Sequence, residues 1–442
     1  MSSGQASGNF LITAYRTNPY GWLVVFVMFL AMSMVSVSRA SIGLAMPAME
    51  QDMGWSRSFL STVVAWALIS MAIISPLVGY LLDRFGARRI ILGGLLISAG
   101  ALALTSRADS AWQILVAYSL IGGIGFGLVS KNVASATIAR HFDANRGLAV
   151  GVANAGSTAG HIAILPVMAI ILTTVGWRWG YLFLAGISLA LLPVVWFLIK
   201  PGTAYAIAPR RAAAARESAP APAVLIEEEV PDTLIGRLGL LFRNRTFLAL
   251  LCSYTICGFT ATGMIDTHFL PYAVAIGIPL VTGAAAYGVL AAFNMGGMAL
   301  SGYLSDRVNR PRLLAVIYIM RGLSYGILLM VPVYDVNLIW VFAVMFGIFD
   351  YSTIPVTTSL VASHIGLRTI GLSLGVLAMF HSAGGAAGAF LGGVLYDRFQ
   401  AYDLVWIAAI AVAMIAGMLV LTIRENRGEP DIPAPRPQPA AA

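Results

Sequence analysis

The sequence predicts an all-α membrane protein with twelve transmembrane helices in two six-helix bundles. Three observations predict it. The 442-residue chain is 59% hydrophobic and only 10% charged, too few charges to cover a soluble protein of this size. Apolar runs of about 20 residues recur, the length that a bilayer-spanning helix needs, whereas the alternating ten-residue segments of a membrane barrel do not. A charged loop also occurs twice, at the exits of two long apolar runs. Its copies are Gly79-Tyr80-Leu81-Leu82-Asp83-Arg84-Phe85-Gly86-Ala87-Arg88-Arg89 and Gly302-Tyr303-Leu304-Ser305-Asp306-Arg307-Val308-Asn309-Arg310-Pro311-Arg312, 223 residues apart. Recurrence at half-length points to two similar helical bundles in one polypeptide.

The predicted spans follow in order, bounded by the arginines of the loops. The first bundle holds 22–46, 58–82, 90–106, 112–138, 147–173 and 179–199; the second holds 246–274, 282–304, 312–331, 336–361, 370–394 and 403–424. The first run is too long for a signal-peptide core and lacks a small-residue cleavage site, so it reads as a retained span. Residues 1–20 form a short polar arm, 21–200 the first bundle and 246–424 the second. Residues 201–245 change to Ala, Pro and Arg followed by Glu227-Glu228-Glu229, a linker without core-forming composition. Its end, Leu234 to Phe242, is amphipathic enough to lie on a membrane surface. Residues 425–442 are a Pro-rich tail.

Orientation follows from the basic residues. With both termini cytoplasmic, inner loops and tails hold twenty Arg and Lys against four outside, Arg57, Arg107, Arg178 and Arg398. That split places a multi-pass protein in a plasma or inner membrane. It also accounts for the net charge of +8 without nucleic acid. The three remaining basic residues lie within spans.

Several chemistries are excluded. There is no Gly-x-x-x-x-Gly-Lys-Ser/Thr loop for ATP, and Gly122-Gly123-Ile124-Gly125-Phe126-Gly127 lies inside a span. No metal-site spacing, cofactor motif or nucleophile–base pair suggests an enzyme. Cys252 and Cys257 are five apart on the seventh helix and read as lipid-embedded, unsuited to a disulfide or metal. Glycines at four-residue spacing, Gly147/Gly151, Gly156/Gly160 and Gly384/Gly388/Gly392, let helices approach closely. They are read as the seam between moving halves or as simple helix packing.

The doubled Gly-x-Leu-x-Asp-Arg-x-Gly-x-Arg loop resembles the signature of the major facilitator superfamily, and the second copy departs from it at Asn309. A narrower resemblance is to the monocarboxylate transporters and their bacterial oxalate/formate relatives. It rests on Phe142 to Ser157 entering the fifth helix, on Gly176-Trp177-Arg178, and on Gly21-Trp22 with Arg39 in the first helix. The resemblance implies two bundles rocking about a midplane site, and a small organic anion such as lactate or pyruvate as substrate. It also implies that Arg39 meets the substrate carboxylate. One departure stands out. Where that family often carries an arginine and an acid on the eighth helix, this chain reads Asn294-Met295-Gly296-Gly297-Met298. The fifth helix also lacks the Gly-Pro-x-x-Gly-Gly pattern of proton/drug antiporters.

Ionisable groups within a bilayer cost about 2.5–3.5 kcal/mol each at mid-helix, so each needs a reason. They fall at Arg39, Lys131, Asp266, His268 and Asp350, on helices 1, 4, 7 and 10, which the resemblance assigns to the central cavity. Arg321 on helix 9 is expected at the periphery. Substrate contact is assigned to Arg39, Lys131, Asn132, Asn294 and His381. Snorkelling for Arg39 and a salt bridge for Lys131 are the bland readings. Proton coupling is assigned to Asp350, Asp266, His268 and His161, because burial penalises an ionised carboxylate and histidine titrates near neutrality. For Asp350 the alternative is a structural pair with Arg321; for His161 and His381 it is a hydrogen-bonded neutral ring. Asp266 and His268 are two apart, so only one is expected to face the cavity. Gating is assigned to the repeated loops, at Gly79, Asp83, Arg84, Gly86, Arg88, Gly302, Asp306, Arg307 and Arg310, with Asp83 facing a helix amino terminus and the arginines pairing with acids or lipid phosphates.

The expected function is therefore proton-coupled movement of a small organic anion by alternating access, without cofactor or ATP. Efflux of a hydrophobic or cationic compound, held by Asp266 and Asp350, is the alternative. A non-transporting sensor on the same scaffold is the third reading.

Overall fold

The computed structural model describes residues 18–139, 141–142, 146–200, 234–305, 307–365 and 370–425. The polar arm up to residue 17, most of the linker and the Pro-rich tail lie outside them. Twelve helices are long and apolar enough to cross a membrane. They are α1 Pro19–Met53, α2 Arg57–Ser75, α3 Arg84–Ser106, α4 Ala111–Ile138, α5 Ala149–Thr174, α6 Trp177–Leu198, α7 Arg245–Ala275, α8 Leu280–Ser305, α9 Arg310–Met330, α10 Leu338–Ile365, α11 Leu372–Phe399 and α12 Asp403–Val420. There are no strands among the described residues. Leu234–Arg243 forms a short helix before α7, with Ile235 and Phe242 exposed.

The first charged loop is far tighter than expected. The backbone is helical over the whole of Arg57–Ser106 except at Gly86, where φ is 78°. One left-handed residue turns α2 into α3, and that conformation favours glycine. The second copy solves the same turn differently. Asn309 sits at φ −62° and caps α9, its side chain accepting from the Arg312 N–H at 3.0 Å. The departure from glycine is thus a change from a left-handed turn to a side-chain cap.

The glycine stripes seal helices within each half. Gly156 and Gly160 of α5 lie against the α1 backbone at Phe29 and Ser33; Gly384 and Gly388 of α11 lie against α7 at Thr255 and Phe259. A Cβ at any of these four would collide with a carbonyl oxygen. Their placement at the seam between moving halves is therefore corrected, because each contact joins two helices of one bundle. The halves meet instead along α2–α11, α5–α8 and α1–α7. A further correction concerns Cys257, which is buried in protein and not in lipid, while Cys252 is exposed.

Two helices are broken in mid-course. α4 loses helical geometry at Val129 (φ −118°, ψ 56°) and restarts as Lys131–Ala139. α10 stops at Asp350 and restarts as Thr353–Ile365. The two breaks recur at nearly the half-chain offset of the charged loops. Pro355 has no N–H to give the Tyr351 carbonyl, which favours the second break. π-helical turns at Leu115–Gly122 in α4 and Phe259–Ile265 in α7 add further irregularity near mid-span.

Candidate functional site

The charged residues of the spans converge between the halves, and α1 and α7 set their spacing. A methyl group at Gly43 would come within 2.8 Å of the carbonyl oxygens of Asp266 and Thr267, so α1 and α7 touch there. Arg39 lies one turn before Gly43 on the same face of α1, about 5–6 Å away along the helix. Tyr118 of α4 anchors the backbone at this point, donating to the carbonyls of Ser38 (2.8 Å) and Arg39 (2.9 Å). Arg39 Nε is buried without a hydrogen-bond partner. Among the described residues no acid lies within ion-pair distance of Arg39.

Lys131 opens the second segment of α4, where unpaired backbone N–H groups favour an anion. Its ammonium sits 4.2 Å from the ring centroid of Tyr351, at the break in α10, a cation–π contact across the halves. Lys131 also lies in the electrostatic field of Arg39, Asp266 and Asp350 without an ion pair to either acid. The salt-bridge reading for Lys131 therefore finds no acid among the described residues.

Asp266 and His268 part company. Asp266 is partly exposed and accepts a hydrogen bond from Tyr287 of α8 at 2.5 Å. Tyr287 in turn meets His161 of α5 edge-on, ring centroids 5.0 Å apart. His161 Nε2 lies 3.0 Å from Ser36 Oγ. His381 packs on Tyr254 (4.8 Å between centroids). His268 lies elsewhere, fully buried against α11, with Nε2 donating to the Ala389 carbonyl at 2.8 Å.

Asp350 belongs to a dry network inside the second half. Asn294 Nδ2 donates to Asp350 Oδ2 (3.1 Å), and Asn294 Oδ1 accepts from the Tyr351 N–H (3.0 Å) at the helix break. Arg321 lies 3.9 Å from Asp350 Oδ1, which has no hydrogen bond. Arg321 also donates to Cys257 Sγ (3.1 Å) and Thr260 Oγ1 (3.0 Å). Its expected peripheral position is corrected: the side chain is fully buried, facing α7 and α10. Asn294, expected at the substrate, holds Asp350.

The repeated loops split in their contacts. Arg84 is exposed and Arg88 lies over the Trp196 ring at 4.0 Å. Arg307 stacks on Tyr303 at 3.6 Å, and Arg310 binds Glu425 (2.6 Å) together with the Ser359 carbonyl and hydroxyl. Gly79 is helical and Gly302 faces Pro355. Asp306 and the side chains of Asp83 and Asn132 lie outside the described residues.

A polar joint between the halves lies at the opposite face, which sequence reasoning missed. The Asp397 carboxylate of α11 accepts from the Arg57 (3.2 Å) and Ser58 (2.9 Å) N–H groups, capping α2 from the other half. Arg57 lies over the Tyr396 ring at 3.7 Å, binds Glu50 at 2.9 Å and donates to Tyr402 Oη at 3.0 Å. With His268 Nε2 committed to Ala389, its Nδ1 accepts from Tyr402 (3.5 Å). The only sequence signal was a lone arginine in an outer loop. Loss of an N-cap costs about 0.5–2 kcal/mol. Asp397→Ala should therefore shift this face toward open roughly 2- to 30-fold. Thiol labelling at Ser61→Cys in a Cys252→Ser background measures it; unchanged labelling would argue against a closing role.

A shallow groove of about 420 Å³ between α3 and α6, lined by Leu92, Leu96, Leu192 and Trp196, carries no charge and sits on the outer, lipid-facing surface.

Comparisons with known proteins match this geometry. The sequence profile of the Major Facilitator Superfamily matches residues 22–386. The chain belongs to the major facilitator superfamily. It is a multi-pass membrane transporter and not an enzyme. An uncharacterised major facilitator-type transporter of Bacillus subtilis, YcxA, is 27% identical over 92% of this chain and 96% of its own. Human monocarboxylate transporter 11 is 28% identical over 91% of this chain and 81% of its own. Among solved structures, a D-xylose–proton symporter superposes with a TM-score of 0.73 at 16% identity, covering 93% of this chain and all of the other. The nucleoside transporter NupG superposes with a TM-score of 0.74 at 10% identity, covering 91% of this chain and 99% of the other. These superpositions show a shared fold.

Proposed function

We propose that the protein carries a small organic anion across the membrane together with a proton, alternating access between its two faces. The observation that carries the reading is the pair of cations Arg39 and Lys131, within the spans α1 and α4, without an acidic partner among the described residues. A bilayer does not tolerate such charges for packing alone. Arginine can fork onto a carboxylate through two hydrogen bonds, and the start of the Lys131 segment adds backbone donors. The likeness to monocarboxylate transporters supports the same class of substrate.

Asp350 carries the proton in this scheme. Its free Oδ1 and the long 3.9 Å pair to Arg321 leave room for protonation. The carboxylate is tied through Asn294 to the break in α10. Loading the proton weakens the Arg321 pair and so acts on the helix break beside Lys131. The seam at Arg57 closes one face, and the loops at Arg84 and Arg307 work at the other, which is cytoplasmic by the positive-inside pattern. Residues 21–200 and 246–424 act as the two rocking units.

Uptake of radiolabelled lactate and pyruvate into proteoliposomes, with and without an inward proton gradient, tests the reading. Gradient-stimulated uptake is expected. Absence of uptake by folded protein would reject simple monocarboxylates.

A further inference from the structure

The reading above leaves Asp266 without a task. It is the partly exposed acid of the cavity, and it stands about one helical turn from Arg39 across the α1–α7 contact. It lies in the electrostatic field of both Arg39 and Lys131. Charges of both signs so close together within the spans would ordinarily neutralise each other. Here they do not: no ion pair joins Asp266 to Arg39 or Lys131 among the described residues, and Arg39 Nε remains without a partner. Tyr287 provides the reason. Its hydroxyl donates to Asp266 Oδ1 at 2.5 Å and holds the carboxylate toward α8. His161 and Phe269 in turn fix the Tyr287 ring, at 5.0 and 6.0 Å between centroids.

A site for a plain carboxylate gains nothing from this arrangement. A fixed negative charge beside Arg39 and Lys131 weakens the attraction that both exert on an anion. The acid becomes useful when the ligand brings a cation of its own. We propose that the substrate is a zwitterion, a carboxylate that also carries an ammonium group. Its carboxylate binds Arg39 and Lys131, and its ammonium binds Asp266. This rests on the anion reading and narrows it. Tyr287 is then a positioning residue, keeping the Asp266 carboxylate aimed and separate from the cations. The Tyr351 ring already faces the Lys131 ammonium, and a ligand ammonium is also accommodated by such a face.

The test uses the full chain in detergent, with ligand-induced thermal stabilisation and competition as readouts. Alanine, β-alanine and 4-aminobutyrate are compared with the size-matched acids lactate, propionate and butyrate, and with simple amines. At least one amino acid should bind about tenfold more tightly than its matched acid, the size expected of one charge-assisted hydrogen bond. In Asp266→Asn, which keeps shape and an acceptor for Tyr287, this preference should fall to about twofold or less, while binding of the plain acid persists. Asp266→Glu should restore it.

Plain acids binding as well as amino acids, or a preference that survives Asp266→Asn, would overturn the zwitterion and leave the anion reading standing. Amines that compete as strongly without a carboxylate would assign the cavity to cations and overturn both. So would failure of all three classes to bind folded protein.

Discussion

Arg39→Ala should abolish or nearly abolish carboxylate transport while leaving the protein folded. A hydrogen bond to a charged group contributes about 1.5–3 kcal/mol, which corresponds to roughly 10- to 150-fold in kcat/KM. The loss should be large because a guanidinium presents two parallel donors to a carboxylate. Folding should survive because the side chain makes no hydrogen bond at Nε and no ion pair among the described residues. Arg39→Lys retains the charge without the planar fork and should fall between the two. Initial uptake rates in proteoliposomes, normalised to reconstituted protein, measure the series. Full activity of Arg39→Ala would remove the substrate assignment and return the residue to a lipid-facing or packing role.

Asp350→Asn should have two separable effects. The first is on coupling: stimulation by a proton gradient should vanish while exchange of substrate across the membrane persists. The second is on stability. Arg321 is fully buried, and removing Asp350, its only acidic neighbour among the described residues, leaves an uncompensated cation, at a cost of about 3–5 kcal/mol. Arg321→Met added to Asp350→Asn should recover most of the lost thermal stability, since the orphaned charge disappears with its partner. Coupling should stay lost in the double variant. A double variant no more stable than Asp350→Asn would mean that the two side chains do not act as a charged pair. Persistent gradient stimulation in Asp350→Asn would move the proton to another group.

Much of the architecture was legible from sequence because a bilayer imposes strong rules. Twelve apolar runs and a doubled charged loop leave few alternatives for the chain. The charged residues of the spans were equally visible, since each is costly wherever it sits. What sequence could not show is which charges meet. Arg321 was assigned to the periphery by helix number, yet its guanidinium points inward to Asp350, Cys257 and Thr260. Asn294 read as a substrate contact, and only the structure shows it joining Asp350 to the break in α10. Arg57 read as one of four outer-loop arginines, and only three-dimensional packing shows it tied to Asp397, Tyr396 and Tyr402. Tyr287 carried no signal at all, being one tyrosine among many in an apolar run. The breaks in α4 and α10 fell between these cases. Pro355 and the glycines at 122, 123, 125 and 127 weaken the helices, but their effect depends on neighbours that fill the gap.

The paired breaks bear on the ancestry of the site. Recurring at the spacing of the repeated loops, they read as one inherited irregularity copied when a half-length gene doubled. The copies then diverged in sign: the break in α4 is followed by Lys131, and the break in α10 is preceded by Asp350. A doubled scaffold with matching charges would present the same polarity from either half, and a guest could sit in it either way round. Opposite charges beside the two breaks leave the halves unlike in polarity. On the proposed reading, that difference lets the protein tell one end of a small molecule from the other, a discrimination that a symmetric pair of halves would lack.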